Sequence, residues 1–97
     1  MKTIHKFRVP ERPNVGPFTR ESFILDVDKN DEFLDFQEQG SSLVLWFRVD
    51  TRRKRLSQRE FVAFFTGQPM MPYENAEYRA TTQSEEYVYH LFEIIDP

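Results

Sequence analysis

Ninety-seven residues with 13 Lys and Arg, 16 Asp and Glu and a formal net charge of -3 leave room for one modest core and argue against a general attraction to nucleic-acid backbones. The absence of Cys argues against the disulfide framework of a small secreted domain and points to a reducing compartment. No stretch reaches the roughly 20 apolar residues of a membrane-spanning helix, and Met1-Lys2-Thr3-Ile4-His5-Lys6 leads into no apolar run of signal-peptide length, so no membrane association is expected. Ten Phe, four Tyr and one Trp supply much of the core, and aromatic side chains suit the pleated surface of a sheet.

In chain order, Thr3–Val9 alternates well enough for a first strand, and Pro10, Pro13 and Pro17 end it because proline cannot donate to a ladder. In the segment 21–28, Phe23, Leu25 and Val27 share one face and Asp26 and Asp28 the other, the period of a half-buried strand. Lys29-Asn30-Asp31 reads as a tight turn into a strand at 32–37, and the two strands are expected to pair as a hairpin. After a turn at Gln39-Gly40-Ser41-Ser42, the apolar run Leu43–Val49 predicts a central strand covered on both faces over most of its length. A polar loop, Asp50 to Gln58, precedes a strand at 60–65; a last strand covers 87–94, with Tyr78–Thr82 pairing beside it. Ser57-Gln58-Arg59-Glu60 and Thr82-Gln83-Ser84-Glu85 both match the helix capping box, but Phe, Val and Tyr dominate the residues after each box and no 3-to-4 apolar spacing persists, so strand is preferred at both. The expectation is an all-β, or β-rich α+β, single domain over 1–97: a small antiparallel sheet of about six strands curled into a barrel or sandwich.

The chemical motifs are sparse. Asp26-Val27-Asp28-Lys29-Asn30 opens like a calcium loop, yet its sixth place holds Asp31 where glycine is needed and its twelfth holds Gln37 where glutamate is needed. His5 and His90 are the only histidines, and their spacing supports no metal site; His90, inside an aromatic strand, is read as a histidine bonded to a carbonyl or an acid. No sharp Gly-flanked turn offers a serine nucleophile to either. Thr66-Gly67-Gln68-Pro69 carries a single glycine, too little for a phosphate cradle, and reads as a turn. Met70-Met71-Pro72-Tyr73 is read as a cap on the open end of the core, with an interface as the alternative.

The sharpest charge feature is Arg52-Arg53-Lys54-Arg55, flanked by Arg48 and Arg59. Such a run is either a solvated loop or a contact for an anion or an acidic protein, since guanidinium forks suit phosphate and carboxylate. In the second case Arg48, Arg52, Arg53, Arg55 and Arg59 would neutralise the ligand, and one of Phe64, Tyr73, Tyr78 and Tyr87, with Tyr73 and Tyr78 preferred, would offer a stacking surface.

Lys2-Thr3-Ile4-His5-Lys6-Phe7, Leu45-Trp46-Phe47-Arg48-Val49-Asp50, Phe65-Thr66-Gly67-Gln68-Pro69 and Val88-Tyr89-His90-Leu91-Phe92-Glu93 occur in an order that resembles a small uncharacterised protein family carried by bacteriophages and prophages. The segment 10–19 and the basic run 52–55 depart from its pattern. The resemblance implies a phage origin, a compact β fold and no known activity; because phage accessory proteins of this size often resemble inhibitors or decoys, a counter-defence role in the host cytoplasm is the expectation. The resulting expectation is a non-enzymatic homo-oligomer without cofactor that sequesters an anionic nucleotide signal molecule. The alternatives are an inhibitor that docks on a host defence protein, and a small enzyme using histidine with a carboxylate.

Overall fold

The computed structural model describes residues 1–10, 21–52, 57–84 and 87–95. Among the described residues, seven strands form two antiparallel sheets: β1 (Lys2–Arg8), β4 (Ser42–Asp50) and β3 (Glu32–Gln39) in the order β1-β4-β3, and β2 (Phe23–Leu25), β5 (Arg59–Phe65), β7 (Val88–Ile94) and β6 (Glu77–Gln83) in the order β2-β5-β7-β6. The sheets pack as a sandwich and do not close into a barrel, and the described residues contain no helix. Arg59 and Glu60 of the first capping box open β5 and Thr82 and Gln83 of the second end β6, so both are strand as expected, while Glu85 lies outside the described residues.

Alternation along each strand decides what is buried. Phe7, Phe33, Leu45, Phe47 and Val49 point from the three-stranded sheet towards Phe23, Leu25, Phe61 and Leu91 of the other. Phe47 is the hub, with ring centroids 5.7 Å from Phe7, 5.6 Å from Phe33 and 5.9 Å from Phe61. Central position agrees with the apolar reading of β4: Val44, on the opposite face, is also buried, although Trp46 is half-buried and Arg48 exposed.

The expected hairpin between the second and third strands does not form. β2 pairs with β5 and β3 pairs with β4, so Asp28–Asp31 is a corner at which the chain changes sheets. The corner is closed locally by Asp31, whose amide donates to the Asp28 carbonyl (3.0 Å) and whose carboxylate accepts from the Asp28 amide (2.8 Å). The true hairpin is β3–β4, turning at Gly40 with φ of 64°, a value that a residue with a Cβ rarely adopts.

β5 and β6 both pair with β7 from opposite sides, so the chain from Thr66 to Ala76 must cross the sheet. It crosses over the outer face, where Tyr73 lies 6.5 Å from Phe64 and Phe64 lies 5.8 Å from Phe92. This explains why Phe64 is buried although it points away from the sandwich interior; Val62, on the same face, is buried too. Met70-Met71-Pro72-Tyr73 therefore belongs to a cover over the face of the four-stranded sheet instead of a cap on the open end of the core, and Met71 remains exposed. Among the described residues, no helix is long and apolar enough to cross a membrane.

Phe47→Ala removes the ring on which both sheets converge and is expected to cost about 3–5 kcal/mol of unfolding free energy, read by urea denaturation. Tyr73→Ala, which strips only the outer-face cover, should cost less than Phe47→Ala in the same assay.

Candidate binding site

Arg59 opens β5 on the inward face, two residues before the core residue Phe61. Its Nε and one terminal nitrogen fork onto the Glu93 carboxylate at 2.7 and 2.8 Å, and its other terminal nitrogen donates to the carbonyls of Asp28 (3.0 Å) and Asp31 (2.8 Å). The guanidinium carbon sits 5.3 Å from the ring centroid of Phe47 and 5.6 Å from that of Phe61. Glu93 also accepts from Nε of Arg79 at 3.0 Å, and Arg79 continues to Glu77 at 3.1 Å. A β-bulge brings Arg79 there: Tyr78 pairs with Phe92 and Ala80 with Leu91, which leaves Arg79 as the extra residue and re-aims its side chain.

The Glu93 side chain is 5% exposed and that of Arg59 14%. Burial alone pushes the Glu93 carboxyl up, but the charge-assisted bonds from Arg59 and then Arg79 outweigh it and hold the group below its ordinary value. A carboxyl with a lowered pKa in the folded protein contributes stability at neutral pH that is lost as pH falls through the folded value.

The network floors a depression with a volume of 510 Å³, of a size that takes small ligands. Its lining combines apolar Ile24, Ile94 and Ile95 with Lys29, Gln58 and Glu60, and the register sets Glu60 between Ile24 and Ile94 on the same face of the sheet. Glu60 accepts from the Ser22 hydroxyl, and the Gln58 amide donates to Asp26 at 2.7 Å. Ile24 and Ile95 are 58% and 47% exposed.

The arginines expected to bind an anion are dispersed. Arg48 and Arg52 lie at the same end of the sandwich as Arg59, but Arg48 points outwards from the three-stranded sheet and pairs with Glu32. Arg52 chelates Asp50 through Nε at 3.2 Å and through its backbone amide at 3.0 Å, which holds the Asp50 carboxyl well below the usual carboxylate range. Arg53 and Arg55 lie outside the described residues. Tyr73 belongs to the crossover, and Tyr78, 57% exposed, stands on the outer face with its hydroxyl 2.8 Å from that of Thr81 and its ring 5.7 Å from Phe92. Neither tyrosine is among the lining residues of the depression.

On that outer face the turn after β5 meets the end of the chain. Thr66 Oγ1 lies 2.8 Å from Nε2 of His90, and Nδ1 of His90 lies 3.0 Å from Oγ1 of Thr81. The turn is sharp: the Gln68 amide donates to the Phe65 carbonyl at 3.0 Å around Gly67, whose φ is 92°. His90 thus has hydroxyls on both sides in place of the carbonyl or acid expected, and the hydroxyl–imidazole pair with Thr66 is a contact that no sequence pattern signalled. The acids of the calcium-like run serve the corner instead: Asp28 accepts from the Ser57 hydroxyl and Asp26 from Gln58. Among the described residues, no group of three His, Cys, Asp or Glu side chains is arranged to hold a metal ion.

A family model described as a domain of unknown function, DUF7352, matches residues 1–97. The chain belongs to that family. No curated protein and no solved structure matches it.

Glu93→Gln leaves the buried Arg59 guanidinium without its counter-charge, while Arg79 keeps Glu77, and is expected to destabilise the protein by about 3–5 kcal/mol at pH 7. The gap from the parent protein should narrow as pH drops below 4.5, where the parent's own carboxylate begins to lose its advantage over the unfolded chain. Urea unfolding of both proteins from pH 7 to pH 3 reads this directly.

Proposed function

We propose that the protein acts without catalysis, as a stoichiometric binder that captures an amphipathic anion, a carboxylate joined to an aliphatic group, in the depression at the end of the four-stranded sheet. The observation that carries this reading is the pairing of opposite surface chemistries at one opening. Lys29, which has no carboxylate partner among the described residues, lines the same opening as Ile24 and Ile95, both about half exposed, and the Glu60 carboxylate between Ile24 and Ile94 is occupied by the Ser22 hydroxyl. The floor beneath is already neutralised, because Glu93 is shared between Arg59 and Arg79. An anion that reaches Lys29 would therefore gain a charge-assisted bond while its aliphatic part covers Ile24 and Ile95.

Sequestration of a nucleotide is supported less well. Arg48, Arg52 and Arg59 each hold a carboxylate of their own, so a phosphate would have to displace three intramolecular pairs. The depression offers isoleucines, not rings, where a base would stack. The phage setting implied by the motif resemblance would make capture a way of withholding a host metabolite, with the host cytoplasm as its place of action.

The test is titration of isotope-labelled protein with hexanoate, hexylamine and AMP, followed by amide chemical shifts. Hexanoate should move Ile24, Lys29 and Ile95 while hexylamine leaves them in place, and Lys29→Glu should weaken hexanoate by about tenfold, the worth of one charge-assisted bond. Shifts at Arg48, Arg52 and Tyr78 with AMP alone would overturn the reading in favour of the nucleotide, and no response to hexanoate at millimolar concentration would end it.

A further inference from the structure

The register of β1 on β4 fixes which backbone groups of the first strand are used. The Val9 amide donates to the Leu43 carbonyl (2.9 Å) and the Thr51 amide to the Met1 carbonyl (2.9 Å), with Thr3, His5 and Phe7 opposite Val49, Phe47 and Leu45 in between. Hydrogen bonding in an antiparallel ladder alternates by residue, so the odd-numbered positions turn their N–H and C=O groups to β4. Those of Lys2, Ile4, Lys6 and Arg8 face the opposite way, towards an edge with which no described strand pairs. The same four side chains share the outer face of the three-stranded sheet, in the order cation, isoleucine, cation, cation.

Edge strands with free backbone groups are templates for strand addition, and cations along them select what can be added. Ile4 is 61% exposed. Lys6 donates to the neutral amide of Gln39 at 2.7 Å, which leaves its charge uncompensated by that contact. A second copy of β1 would bring lysine and arginine against the same row of cations, and like charges across a strand pair are unfavourable. An extended acidic segment meets no such penalty and gains three opposite-charge pairs.

From this charge complementarity we propose that β1 is the docking edge for an extended acidic segment of another protein, one whose alternate residues read acid, acid, apolar, acid in the antiparallel direction. The apolar residue covers Ile4, and the acids stand opposite Arg8, Lys6 and Lys2. This edge belongs to the other sheet from the carboxylate depression, and the two sites stand or fall separately.

The probe is the acetylated, amidated peptide Glu-Thr-Glu-Thr-Val-Thr-Glu-Thr, with a Lys-for-Glu version as control. The acidic peptide is expected to slow hydrogen exchange at the amides of Lys2, Ile4, Lys6 and Arg8 and to bind at least tenfold more tightly than the basic one. Ile4→Pro deletes an outward amide that takes no part in the ladder, so it should abolish binding while the protein stays folded by circular dichroism. Should Ile4→Pro fail to fold, Lys6→Glu with Arg8→Glu is the second variant, and it should reverse the preference to the basic peptide. Unchanged exchange at saturating acidic peptide, equal affinity for both peptides, or protection of these amides by self-association in the absence of peptide would each overturn the proposal.

Discussion

One guanidinium holds the two sheets in register. Arg59 starts on β5, lies over a ring from each sheet, grips the carbonyls at the corner where the chain leaves one sheet for the other, and forks onto the penultimate residue of β7. Each of these partners is polar or polarisable and each is withdrawn from water, so none could be left alone at low cost. A buried ion pair of this kind gains little over an apolar pair of the same volume, because desolvation offsets most of the attraction. Its effect lies in directionality: five donors in a fixed plane accept one arrangement of corner, strand and carboxylate, whereas a leucine would accept many.

With the corner fixed, the remaining architecture is set by where apolar side chains must go. β2 carries Phe23 and Leu25 inwards and Val27 continues into the core, but the corner then sends β3 to the opposite sheet, where Phe33 and Phe36 face them. The second sheet has the harder problem, since β5 is apolar on both faces. The sandwich buries Phe61 and, in part, Ala63, and Tyr73 of the crossover between β5 and β6 packs on Phe64 on the other face. A connection that topology requires thus also supplies the missing layer on the outer face.

Strand identity was legible because alternation is a local property; Phe23-Leu25-Val27 and Leu45-Phe47-Val49 declare their faces without help. Sheet membership was not. Lys29-Asn30-Asp31 has the composition of a hairpin turn, and what makes it a corner is a side chain 28 positions beyond Asp31, which no local pattern contains. Arg59 itself was read with the basic run at 52–55 as a ligand group, although its parity already set it on the face of Phe61 and Ala63. The same parity puts Glu93 in line with Tyr89 and Leu91, an acid on a core face, and an inward arginine and an inward acid together were the available signal for the pair. Arg79 carried no such signal, because the bulge that aims it inwards breaks the alternation at that residue. The Thr66–His90 contact was equally hidden, as it depends on β5 and β7 being neighbours.

The hydroxyl–imidazole row on the outer face shows how chemistry-bearing residues can serve architecture. An imidazole that shuttles protons for a nucleophile is ordinarily held by a carboxylate, which fixes its tautomer and stabilises the cation formed during transfer. His90 has Thr81 in that position, and Thr81 shares its hydroxyl with Tyr78. A hydroxyl can orient the ring in either tautomer but supplies no counter-charge. What the row does is join the turn after β5 to β7 and β6 through side chains, at the place where the crossover begins and the sheet would otherwise expose polar ring atoms to a partly covered apolar surface. The internal polar pairs therefore tie down the faces and one end of the sandwich, while the lysine at the isoleucine-lined opening and the outward backbone of β1 are left facing solvent. Groups without an internal partner are the ones with free energy to gain from an external one, which is why both binding proposals start from them.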